Sequence, residues 1–270
     1  IVTNNLFFFW NPKLKTMLLS ILRHSVTAFC LLVHPSYISA NPSTMQLHEK
    51  NIFSQGGEDG IIEYIFSQIG TSSKYYVEFG AMDGHICSNT KYLREFKGWT
   101  GLLIDCNYEN HQINLHKHFI TAENINALFE LHDVPYDLDL LSIDIDGNDF
   151  YVWHALDEKY RPRLIVIEYN GNFPPDQNVV IFYNPYHHWD GSSYFGANIT
   201  AMQQLGRLKG YSLIYADSTG CNLFFIPNEL VPHSFTHIND VYTLYQAHHH
   251  PKTSDKKMIS FEEALNCVKK

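Results

Sequence analysis

The sequence predicts an α/β fold: a mostly parallel, seven-stranded sheet with helices on both faces and an antiparallel hairpin at its C-terminal end. Three observations predict it. Strand-type and helix-type segments alternate with short connections between about residues 50 and 230, the pattern of a parallel sheet. The run Val77-Glu78-Phe79-Gly80-Ala81-Met82-Asp83-Gly84 ends a β-type stretch on a tight glycine turn and leads to a polar helix start at Ser88-Asn89-Thr90. Late in the chain, Tyr211 to Ala216 and Asn222 to Ile226 flank Ser218-Thr219-Gly220, the signature of a hairpin.

Each element has its own warrant. Residues 58 to 69 place Ile61, Ile62, Ile65, Phe66 and Ile69 at helical spacing, and Gly70 ends that helix. The first strand starts at Tyr75, a helix capped by Ser88 or Asn89 runs to about Phe96, and Gly101 to Asp105 is the second strand. A short third strand is expected near Ile113 to Phe119, a helix from Asn124 to Leu131, and a fourth strand from Leu138 to Ile145. Asp149 opens the next helix. Arg163 to Glu168 is apolar throughout its centre, as a parallel strand covered on both faces requires. A polar and aromatic insertion fills 170–195, and a helix from about Ala197 to Lys209 stops at Gly210.

Composition narrows the function classes. The chain has 270 residues, 45% of them hydrophobic and 17% charged, with a net charge of −9. No basic stripe is present, so nucleic acid is not an expected partner. The five cysteines are scattered and form no C-x-x-C pair, which argues against a zinc site or a disulfide framework. His248-His249-His250, followed by Pro251, reads as a solvated loop.

The domain expected from these patterns covers 49–232, with an N-terminal extension over 1–48 and a peripheral tail over 233–270 that holds one short helix near Phe261 to Val268. From Met17 the extension resembles a secretory signal, with a docked or disordered extension as the equal alternative. Arg23 and His24 interrupt its apolar run, so a membrane span is not expected. A cytoplasmic location is favoured, with export or membrane association left open by the signal-like segment. The oligomeric state has no sequence signal.

In open α/β sheets, ligands bind beyond the carboxyl ends of the strands. Those ends carry Glu78, Asp105, Asp144, Asp146, Asp149 and Glu168. Helix caps and turns account for one or two such acids, but not easily for acids at four strand ends. The glycines of the first turn do not follow G-x-G-x-x-G, which disfavours a pyrophosphate ligand. Asp105 follows Glu78 by 27 positions, and its two oxygens match a vicinal diol. The segment Asp144 to Asp149 fails as a calcium loop, because Gly147 stands at its fourth position and Ala155 at its twelfth.

Seven stretches together resemble the FkbM-type, class I S-adenosylmethionine (SAM)-dependent methyltransferases: SQGGEDGIIEYIF, YYVEFGAMDG, SNTKYL with GWTGLLID, TAENIN, DLLSIDIDGNDFYVW, IVIEYNGNF, and YFGAN through GCNLFF. They span roughly residues 53 to 230 in the expected order. The resemblance implies a Rossmann-like sheet and transfer of a methyl group from SAM to a small-molecule or glycan acceptor, with a hydroxyl the favoured target. Implied cofactor contacts are Glu78, Gly80, Ala81, Asp83, Gly84 and Asp105, with Asn89 and Asn124 near the adenosine. Asp105 stands where Glu is more usual, and a short stretch between Asp105 and Asn124 implies a trimmed helix.

Asp144, Asp146, Asp149 and Glu168 are the expected catalytic groups, since removing an acceptor proton needs a base. Asn148, Asn170, His187 and His188 are expected on the acceptor side, below an insertion carrying Phe173, Phe182, Tyr183, Tyr186, Trp189 and Tyr194. A divalent ion held by Asp144, Asp146, Glu168 or Asn170 is a further reading. Two rivals stand beside the methyltransferase: a metal-dependent glycosyltransferase using Asp144-Ile145-Asp146, and a non-catalytic domain that binds a metabolite.

Overall fold

The computed structural model describes residues 45–235 and 240–268. In chain order it contains α1 (Glu58–Ile69), β1 (Tyr75–Phe79), α2 (Lys91–Phe96), β2 (Thr100–Asp105), β3 (Leu115–Lys117), α3 (Ile125–Leu131), β4 (Leu140–Ile143), α4 (Asp149–Ala155) and β5 (Leu164–Glu168). These are followed by β6 (Val179–Val180), α5 (Ile199–Leu208), β7 (Tyr211–Ala216), β8 (Asn222–Pro227), α6 (Val241–Leu244), β9 (Ile259–Ser260) and α7 (Phe261–Cys267).

Seven strands form one sheet in the order β3-β2-β1-β4-β5-β8-β7. The first five are mutually parallel, whereas β8 runs antiparallel to both β5 and β7. This is a mixed α/β sheet compatible with a Rossmann-like fold, with the expected hairpin at its end. Strand order reverses at β1, which lies between β2 and β4. That reversal opens a crevice between the carboxyl ends of β1 and β4.

Alternating side chains divide the core between the two faces of the sheet. On β5, Ile165 and Ile167 pack with α3, α4 and α5, including Phe129, Trp153 and Met202. Leu164 and Val166 face the other way, toward Ile61, Ile65 and Phe66 of α1. Burial on both sides explains why the strand reads as an unbroken apolar run. Between β2 and β3 the chain makes only a 3-10 turn, His111–Ile113, in keeping with the trimmed helix expected there.

Both domain edges differ from the sequence expectation. Met45 is fully buried, and His48 stacks on Tyr64 at 3.7 Å between ring centroids, so the folded body begins before residue 49. The signal-like segment from Met17 lies outside the described residues. The stretch from 233 onward is not a peripheral tail. Strand β9 pairs with β6 of the insertion, and Phe261, Ala264 and Val268 are buried in the main core. Their spacing gives α7 an apolar face, which packs Phe261 edge-on against Phe150 of α4 at 5.8 Å. Among the described residues, no helix is long and apolar enough to cross a membrane.

Candidate functional site

The crevice holds a cleft of about 610 Å³, in the size range of small-molecule sites. Gly80 and Asp105 lie on one side of it, Asp144, Asp146 and Asn148 on another, and His187, His188 and Trp189 form a lid-like third side. Three carboxylates and three histidines line it, and no Lys or Arg does.

The turn after β1 is built by carboxylates. Glu78 is buried and accepts the Ser88 hydroxyl at 2.8 Å, the Asn89 N–H at 2.7 Å and the Thr90 hydroxyl. Burial pushes its carboxyl above the usual range, against the pull of those three donors. Gly80 has φ +65°, and a Cβ there would lie 1.6 Å from the Asp144 carbonyl oxygen. Only glycine allows β1 and β4 to approach so closely at the crevice. Asp83 accepts the N–H groups of His85 and Ile86 at 2.8 and 3.0 Å, a turn-forming role. Asp105 accepts Met82 N–H on Oδ2 at 2.9 Å, and Asn107 and Tyr108 N–H on Oδ1 at 2.7 and 3.2 Å. It keeps about one lone-pair direction for a ligand hydroxyl.

The turn after β4 separates one structural acid from the rest. Asp149 is fully buried and accepts Ile145 N–H at 2.8 Å and Gly147 N–H at 2.9 Å, one on each oxygen. Burial pushes its carboxyl up to about 6. This carboxylate anchors the turn, which leaves it badly placed to take a substrate proton.

Asp144, Asp146 and Glu168 are different. Each can offer an oxygen such that the three atoms lie within 4.8 Å of one another. Glu168 Oε2 is buried without a hydrogen-bond partner. Burial drives the Asp144 carboxyl well above the ordinary carboxylate range, and the charges of Asp146 and Asp149 push it further. Burial does the same to Glu168, followed by the charges of Asp144, Asp149 and Asp146. Asp146 is raised by burial and by Asp105. Among the described residues, no hydrogen-bond donor counters these effects at any of the three.

On the lid side, Asn148 is buried. Its Nδ2 donates to the Asn184 carbonyl at 2.8 Å, and its Oδ1 has no partner. The His187 ring packs against Gly147, where a Cβ would come within 2.3 Å of Cδ2. Its Nε2 is also buried and unpartnered, and burial lowers its pKa, so the neutral imidazole is favoured at pH 7. His188 packs on Phe119 at 5.2 Å between ring centroids.

The cleft therefore gathers Gly80, Asp105, Asp144, Asp146, Asn148, His187 and His188 from the expected set, with Glu168 joining through the carboxylate cluster. Glu78, Ala81, Asp83, Gly84, Asn89, Asn124 and Asn170 are not among its lining residues. Asn89 donates to Ser142 at 3.0 Å. Asn124 bonds Thr121 N–H and the Phe119 carbonyl, each at 2.8 Å, and so fixes the turn carrying Phe119 and Ile120. Asn170 donates to the Ser193 and Phe195 carbonyls at 2.9 and 2.7 Å and accepts from Asn172, which uses its amide within the fold.

Of the six insertion aromatics, Trp189 lines the cleft. Tyr194 is buried, Tyr183 bonds Glu123 at 2.6 Å, and Phe182 and Tyr186 are exposed. Gln55, Tyr108, His118 and Phe119 also line the cleft without having been singled out from sequence. Gln55 had a signal, since it belongs to the Ser54-to-Gly60 stretch, where Asp59 gathers the N–H groups of Ile52, Phe53 and Ser54. No protein-family model matches the chain, and no curated protein matches it either.

Proposed function

We propose that the chain is a SAM-dependent methyltransferase that transfers the methyl group to a hydroxyl of a small-molecule or sugar acceptor. One observation carries the reading. The cleft lies at the strand-order reversal, beside a glycine turn and Asp105, and its walls are acidic with no Lys or Arg. Such a site favours a cationic ligand and offers no side-chain cation to a pyrophosphate. The sheet plan, five parallel strands closed by an antiparallel hairpin, supports the same class.

SAM would supply an electrophilic methyl carbon on a sulfonium. The residues fit that group: Asp105 has a lone-pair direction for a ribose hydroxyl, and the bare Gly80 backbone admits close approach. Transfer forms a bond from the acceptor oxygen to the methyl carbon and breaks the carbon–sulfur bond, whose electrons stay on sulfur. The hydroxyl proton passes to a base. Asp144, Asp146 and Glu168 suit that role, because carboxyls pushed above their ordinary range are stronger bases. Neutral His187 would be a second candidate for that proton on the lid side. Trp189 and Phe119 offer apolar faces to an acceptor ring. Most of the expected rate gain comes from holding donor and acceptor in line.

Calorimetry of the full chain with SAM, and separately with a sugar nucleotide plus manganese, tests the proposal. SAM is expected to bind, and Asp105→Ala to weaken it by about tenfold, the size of one lost hydrogen bond to a charged group. Binding of the sugar nucleotide alone would overturn the reading in favour of a metal-dependent glycosyltransferase, which the Asp144–Asp146–Glu168 cluster would then serve.

A further inference from the structure

The methyl-transfer reading needs one carboxylate as a base and leaves the crowding of three without an explanation. One sulfonium brings a single positive charge, and an acceptor hydroxyl brings none. Asp144, Asp146 and Glu168 come from the end of β4, the turn after it and the end of β5, elements fixed by the sheet ladder. Their ligand oxygens sit within 4.8 Å of one another. Helix capping and turn formation do not explain them, since Asp149 already holds that turn with both oxygens.

A second, independent feature points to a ligand. Asn148 is only 4% exposed and lines the same cleft as Asp144 and Asp146. Its Nδ2 is committed to the Asn184 carbonyl, which identifies the unpartnered atom as Oδ1. With Glu168 Oε2, this makes two buried oxygens lacking any donor beside one carboxylate cluster. A buried acceptor left unmatched costs about 1–3 kcal/mol, so such atoms are normally satisfied by something. A divalent cation is a partner that accepts electron density from several such oxygens at once.

We infer that Asp144, Asp146 and Glu168 bind a divalent cation of the magnesium or manganese class, in the cleft that Asn148, with its unpartnered Oδ1, also lines. The donor set is oxygen only, which selects hard cations over zinc or copper. The inference stands apart from the methyl-transfer proposal, since a Lewis acid at this point would bind and polarise an acceptor hydroxyl whatever group is transferred to it.

The histidine patch is the main competing locus for a metal. His118 and His132 approach at 3.0 Å between Nε2 atoms, and His116 lies 4.3 Å from His132 between ring centroids. Imidazoles prefer softer ions, which gives the test its control.

The experiment uses the full chain stripped with EDTA and then freed of chelator. Manganese is titrated by electron paramagnetic resonance of the free ion, magnesium is used as competitor, and the melting temperature is followed in parallel. One manganese per chain is expected, displaced by magnesium, with a higher melting temperature in either ion. Asp144→Asn and Glu168→Gln should each weaken manganese at least about tenfold, a usual cost of altering a metal site. Glu168→Gln should fold at least as stably as the wild type without metal, so lost binding would not reflect lost folding. His132→Gln, in the histidine patch and not among the residues lining the cleft, should leave manganese binding unchanged.

No manganese bound by the wild type, equal affinity in both carboxylate variants, or loss of binding in His132→Gln would each overturn the inference. SAM binding measured in EDTA separates the two ideas. Binding of SAM with no manganese site sinks the cation alone, whereas a manganese site without SAM binding sinks the methyl-transfer reading alone.

Discussion

Two sets of acids share one edge of this sheet, and they do opposite things. Glu78, Asp105, Asp149 and Asp217 are buried and take N–H or hydroxyl groups on their oxygens. Asp144, Asp146 and Glu168 sit within the same region and receive no such donor from the described residues. What separates the sets is the path of the backbone. Where a turn folds back and aims its amides at a carboxylate, that carboxylate is a structural part of the turn. Where the chain runs on, the carboxylate keeps its lone pairs for something that arrives. Residue type and position at a strand end are alike in both sets, so only the donors tell scaffold from chemistry.

The contrast is most exposed at Glu78. Glu78→Ala strands the Asn89 amide and the Ser88 and Thr90 hydroxyls beneath the cleft. A loss of about 3–5 kcal/mol is expected, comparable to breaking other buried charged networks, and urea denaturation will measure it. A loss below about 1 kcal/mol would move Glu78 out of the structural set.

Asp217 gives the next largest effect, through pH. It is fully buried, accepts from Thr219, Cys221 and Asn222 at the β7–β8 turn, and burial pushes it from 3.8 up to about 6, helped by the charge of Glu58. The native state therefore holds this proton more tightly than the unfolded chain. As pH rises from about 4 to about 6 the unfolded chain ionises first, and folding stability falls by about 3 kcal/mol before levelling off. Asp217→Asn lacks that proton, so the stability difference between wild type and variant should change by this amount across the interval. A constant difference in denaturation experiments from pH 4 to pH 7 would show that Asp217 is not held above its ordinary range.

Asp105 belongs to both worlds. Asp105→Asn replaces one acceptor and turns an amide toward one of the Met82, Asn107 and Tyr108 N–H groups. A loss of about 1–2 kcal/mol is expected in thermal or urea unfolding, smaller than at Glu78 because one oxygen survives. No loss would mean that its backbone contacts are dispensable and that it belongs with the free acids.

The same distinction explains what was legible in the sequence. The strands and helices were readable because periodicity and glycine stops are local: Ile61 to Ile69, the run Leu164 to Ile167 and the hairpin at Ser218 to Gly220 each carry their own signal. The cleft was readable as a place, since strand ends and the order of elements locate it. The division of labour within it was not. Asp149 and Asp144 look alike in sequence, and only the fold shows which one meets the amides of Ile145 and Gly147. Asn170 looked like a substrate contact and instead holds the Ser193–Phe195 segment, a partnership 23 to 25 residues away. The docking of the chain beyond residue 233, though not its short helix at Phe261–Cys267, was misread for a similar reason. Its polar, histidine-rich surface hides an apolar stripe, Phe261, Ala264 and Val268, whose partners lie in the insertion and on α4.

The smallest expected effect is the one that most sharpens the comparison. Asp146 receives no hydrogen bond, sits at φ +57° and has its carboxyl raised by burial and by Asp105. Asparagine tolerates that backbone region as well as aspartate does, so Asp146→Asn adds no strain. It removes one of three crowded charges and should therefore stabilise the metal-free protein. The residue as a whole is exposed although the cleft partly desolvates its carboxyl, and solvent screens much of the repulsion, which holds the gain to a few tenths of a kcal/mol. Adding manganese reverses the sign if the cation site is real, because the wild type then gains a ligand that the variant binds less well. Melting curves of both proteins, with EDTA and with manganese, read the two signs directly. A variant less stable than wild type in EDTA would mean that Asp146 has a structural partner after all, and it would join the acids that build the fold.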